Sequence, residues 1–124
     1  MIWLIRVLVV VVSLLLIFMG GSWYANPESA AEGLGMALQD GVGRSSQIGD
    51  TAALFITTGS CALIGMASRR RTWFYPAAML MCLTALGRLL AWRLHDAAFA
   101  TELIAAELVF AAIFLVASRK LASE

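Results

Sequence analysis

Two side chains of opposite charge interrupt otherwise apolar stretches: Arg88 in LTALGRLLAW and Glu107 in LIAAELVFAA. A guanidinium and a carboxylate can join through a two-point, charge-assisted hydrogen bond. Either could instead read the polar end of a ligand, and the carboxyl could exchange a proton. Neither is comfortable alone in hydrocarbon, where an ionisable side chain costs about 2.5–3.5 kcal/mol on insertion scales. Both residues are equidistant from the midpoint between Ala97 and Ala98, and so are Arg93 and Glu102. In an antiparallel helical hairpin turned at that point, each pair shares one depth. The spacing predicts Arg88 with Glu107 as a central pair and Arg93 with Glu102 as a rim pair. An exposed rim pair contributes little to stability.

The elements that carry these charges are set by composition. The chain is 61% hydrophobic and only 14% charged, with a mean hydropathy of +0.86. A soluble domain averages about 45–50% apolar and about 25% charged residues. A net charge of +1 offers no basic face for nucleic acid. The length suits one compact domain, residues 1–124. Cys61 and Cys82 lie within apolar segments and form no C-x-x-C pair, so they read as small core residues.

Four spans are expected, near 2–25, 47–68, 72–93 and 102–118, in an all-α up-down-up-down bundle. The first carries one charge, Arg6, and ends in small residues, as a signal peptide does. A bulky Trp23 stands where cleavage needs a small residue, so an uncleaved helix is expected, with Trp23 and Tyr24 as interfacial anchors. Asn26-Pro27-Glu28 is a helix start, and a short amphipathic connector helix is expected to about residue 39, closed by Asp40-Gly41-Val42-Gly43. In the second span Gly49, Ala53, Thr57, Cys61 and Gly65 recur every fourth residue. That row reads as the face on which helix backbones approach closely. Trp73, Phe74, Tyr75 and Pro76 open the third span as an aromatic belt with a tolerated first-turn proline.

Charge asymmetry orients the chain. Arg69, Arg70, Arg71, Arg119 and Lys120 share one side, with Arg6 near it. The positive-inside rule then places both termini in the cytoplasm of a bacterial inner-membrane protein. Asp50, Arg88 and Glu107 fall in the outer half, with Arg44 able to reach either acid. Thr84 and Trp92 lie about one turn from Arg88 on its face. Such a cluster is either a register-fixing ion pair or the lining of an outward pocket for a quinone or lipid headgroup. His95-Asp96 with Glu102 is a weak metal candidate, because loop spacing is unconstrained. Met79, Met81 and Cys82 could suggest copper(I), but the two methionines point to different helix faces. No metal or other cofactor is therefore expected, and no Ser/His/Asp arrangement, phosphate loop or H-E-x-x-H is present.

Arg44 followed by Gly49, Gly59 in the second span, Leu86-Gly87-Arg88 with Asp96 beyond it, and Glu107-Leu108 form a wider pattern over the C-terminal two-thirds. It resembles a family of small bacterial four-helix membrane proteins of unknown function, and more loosely the DoxX/DoxD-like proteins. Asp50 departs from that pattern, which has a small or aromatic residue after the glycine. The looser relatives include membrane partners of quinone-linked redox enzymes, so the resemblance implies an accessory role more than independent catalysis. Three classes of function follow. The first is an accessory or scaffold subunit associating with other membrane proteins or itself. The second is a binder or carrier of an amphipathic molecule. The third, least favoured, is an enzyme with Glu107 or Asp50 as acid/base.

Overall fold

The computed structural model describes residues 1–123. Among them are five α-helices: α1 (Ile2–Ala25), α2 (Pro27–Gly33), α3 (Gly41–Ser68), α4 (Phe74–Leu94) and α5 (Thr101–Lys120). A 3₁₀ turn, Arg71–Trp73, leads into α4. The four long helices are each long and apolar enough to cross a membrane. This is the all-α, multi-pass, four-helix bundle that the composition demands.

The helices close into a ring in the order α1, α3, α4, α5. Contacts are densest between α1 and α3 and between α4 and α5, while α3 and α5 face each other across the diagonal and barely touch. Val9, Leu16, Trp23, Phe74, Met81 and Phe114 fill the centre and are almost fully buried. The outer surface is also apolar, with Val11, Leu14, Phe18, Leu83, Leu90 and Val109 exposed. That inversion of the soluble pattern is what a hydrocarbon solvent permits, since lipid is as apolar as the core.

The α1–α3 joint is a backbone approach. A Cβ on Gly59 would stand 2.5 Å from the Ser13 carbonyl oxygen, and one on Gly20 would stand 2.9 Å from that of Ala52. Lower down, the Phe74 ring covers Gly65. Here the expected packing row is corrected. The buried face of α3 is Ala52, Phe55, Thr58, Gly59, Ala62 and Gly65, whereas Gly49, Ala53 and Thr57 are exposed and Cys61 is half-buried. A four-residue step turns about 400°, so the row drifts about 40° each time. From Gly49 to Gly65 it winds almost halfway round the helix, and only its last member reaches the core.

Two boundaries also move. The connector helix ends at Gly33 rather than near 39, because Gly33 and Gly35 interrupt it and Gly35 takes φ +75°. Its start is as expected: Asn26 Oδ1 accepts the Ser29 N–H at 3.4 Å, and Pro27 begins the helix. The second span begins at Gly41 instead of 47, so Asp40 precedes a helix start. At 28 residues α3 is about 42 Å long, well beyond the ~30 Å hydrocarbon thickness. Gln47 fastens the intervening strand of chain to it. Its Oε1 accepts the Gln39 N–H at 2.7 Å and its Nε2 donates to the Ala37 carbonyl at 3.1 Å.

Candidate functional site

Arg88 and Glu107 meet between α4 and α5. The Arg88 Nε–H is shared by both carboxylate oxygens, at 2.9 Å to Oε1 and 2.8 Å to Oε2. Arg88 stands six residues, or about 9 Å, before the α4 end at Leu94, in the C-terminal third of the helix. Equal distance from the turn has brought the two to one depth, as the sequence spacing required. Glu107 is buried, and 24% of the Arg88 side chain remains accessible. Because Nε alone serves Glu107, both terminal nitrogens of Arg88 make no hydrogen bond among the described residues.

The wider cluster does not assemble. Arg44 turns back to its own helix start, pairing with Asp40 at 3.1 Å and donating from Nε to the Gln39 carbonyl at 2.8 Å. Asp50 is exposed on α3 and forms no salt bridge among the described residues. The reason is the ring order: α3 is diagonal to α5, so neither Arg44 nor Asp50 can approach Glu107. Thr84 is held by its own helix, its hydroxyl donating to the Leu80 carbonyl at 2.7 Å.

The expected rim pair of Arg93 and Glu102 is likewise not formed among the described residues. Arg93 instead lies 5.8 Å from the centroid of the Trp92 ring. Trp92 meets Phe99 edge to face, with centroids 5.0 Å apart and planes at 74°. Aromatic contacts at the end of α4 thus replace the ion pair, in a region where a solvated pair would add little. His95 and Asp96 are both exposed in that loop. Among the described residues, no three His, Cys, Asp or Glu side chains converge as metal ligands.

Two features escaped the sequence reading. One is Ser13, fully buried at the α1–α3 joint, its hydroxyl without a hydrogen-bond partner among the described residues. A lone serine in VVVVSLLL gives no signal of its environment. The other is a cavity of about 380 Å³ under the connector, bordered by Phe18, Ser22, Trp23, Asn26 and Ala30. The connector therefore covers the end of α1, and this cavity is not lined by Arg88 or Glu107. Comparison of the chain with protein-family models, curated proteins and solved structures finds no match.

Proposed function

We propose that the chain is a small accessory or scaffold subunit of a larger assembly in a bacterial inner membrane, with both termini cytoplasmic. The orientation rests on charge. Arg6, Arg69, Arg70, Arg71, Arg119 and Lys120 gather at one end of the antiparallel helices, while the other end carries two cations, Arg44 and Arg93, among Glu28, Glu32, Asp40 and Asp96. The subunit reading rests on one observation: α3 turns Gly49, Asp50, Ala53 and Thr57 outward. A face of small and polar groups gains little from lipid tails. It suits the backbone of another membrane helix, where small residues allow close approach and polar groups find partners.

The test is affinity capture of the tagged chain from its native membrane. Ala53→Trp and Thr57→Trp fill that face without touching the buried one, so each should remove the co-purifying partner while helicity is unchanged. A wild-type chain that is strictly monomeric and captures nothing would end this proposal.

A second reading, retention of a quinone or lipid headgroup beside Arg88, is favoured by its two terminal nitrogens, which have no partner among the described residues. Arg88→Lys keeps the charge opposite Glu107 but removes the planar donors. Quinone or lipid extracted from purified protein should then fall to background. Retention at the wild-type level would exclude Arg88 as the contact.

A further inference from the structure

We propose that the basic end holds one anionic phospholipid, its phosphate between Arg119 and Tyr75 and an acyl chain in the groove between α1 and α5. The site lies at the opposite end of the bundle from Arg88; it is independent of the subunit reading but rests on the cytoplasmic orientation proposed above.

Three observations converge. First, six cations gather at this end, and no Asp or Glu among the described residues lies there. Second, a cavity of about 310 Å³ opens beside them, lined by Tyr75, Leu115, Val116, Ser118 and Arg119. Arg71 is fastened at its edge, its Nε donating to the Ser118 carbonyl at 3.2 Å. Third, an apolar groove of about 270 Å³ is lined by Ile5, Leu8, Val109, Ala112, Ile113 and Val116.

Val116 borders both spaces, so the charged mouth and the apolar groove adjoin. From Arg119 to Val109 the helix rises about 15 Å. That is half of the ~30 Å hydrocarbon layer, the depth of one leaflet. Basic pockets between spans on the cytoplasmic side suit anionic headgroups by charge. The adjoining groove supplies what a soluble anion or an acidic protein tail would not use.

The test is native mass spectrometry of delipidated protein titrated with phosphatidylglycerol or phosphatidylcholine. Wild type should hold one phosphatidylglycerol at about tenfold lower concentration than phosphatidylcholine. Arg119→Gln should weaken the anionic lipid about fivefold, the effect of one cation near such a surface. Ala112→Phe, which fills the groove from an exposed position, should weaken both lipids. Equal binding of the two lipids by wild type overturns the proposal. So does unchanged lipid binding in Ala112→Phe, which would leave only a diffuse basic collar. Circular dichroism checks each variant. Should Arg119→Gln lose helicity, the lipid selectivity of wild type and the groove variant decide the matter alone.

Discussion

Replacing Arg88 by leucine lowers stability by about 3–5 kcal/mol, because it leaves the buried Glu107 carboxylate unpaired, and Glu107→Leu costs less, because the Arg88 it leaves unpaired is partly accessible. The double replacement recovers most of that loss. Glu107 is the buried member, at 8% accessible, and its two carboxylate oxygens share the single Arg88 Nε–H. Removing the guanidinium therefore strands a carboxylate between α4 and α5. Removing both charges leaves two leucines of helical and apolar preference in an apolar seam, a change that is often neutral or favourable. The coupling is read from a double-mutant cycle on unfolding midpoints in mixed micelles. Losses that simply add would show that the two side chains act separately, and the ion pair would then have no part in joining α4 to α5.

The second large effect is steric. Gly59→Ala should cost about 1–3 kcal/mol, the usual penalty of overpacking, and Gly59→Leu more. A Cβ there meets the Ser13 carbonyl oxygen at 2.5 Å and Ile17 Cγ1 at 2.7 Å. The isoleucine could rotate, but the carbonyl belongs to the α1 backbone and can yield only if the helices part. Gly49→Ala on the same helix is the control. Nothing lies within 4 Å of its Cβ position, so removing a flexible residue from the helix should be neutral or stabilise by up to about 1 kcal/mol. Thermal midpoints of the two variants should move in opposite directions, or only that of Gly59→Ala should fall. Equal stability of both alanine variants would place the α1–α3 contact elsewhere.

These two cases mark how far the sequence could be read. The span count and the Arg88–Glu107 pairing were legible because hydropathy and distance from a turn determine depth along a hairpin. Azimuth around a helix was not. Small residues occupy both sides of α3, and an every-fourth-residue row winds across both, so the spacing groups Gly49 with Gly65 although they lie on different faces. Depth alone puts Arg44 and Asp50 in the central cluster. Ring order, which no local spacing encodes, put α3 across the diagonal from Glu107. Arg93 and Glu102 had the right depth as well. At the helix end, however, Arg93 has the Trp92 ring within reach, and water weakens the competing ion pair.

The hairpin also has an order in time. Arg88 is translated before Glu107, which follows it 19 residues later. For that interval α4 carries an uncompensated cation that disfavours its entry into lipid by about 2.5–3.5 kcal/mol. α1, with a hydropathy of 2.9 against 1.5 for the segment containing α4, needs no such help. The last two helices therefore enter the bilayer most favourably together, once the carboxylate has emerged. The ion pair that joins them in the finished protein makes the hairpin, rather than the single helix, the unit of insertion.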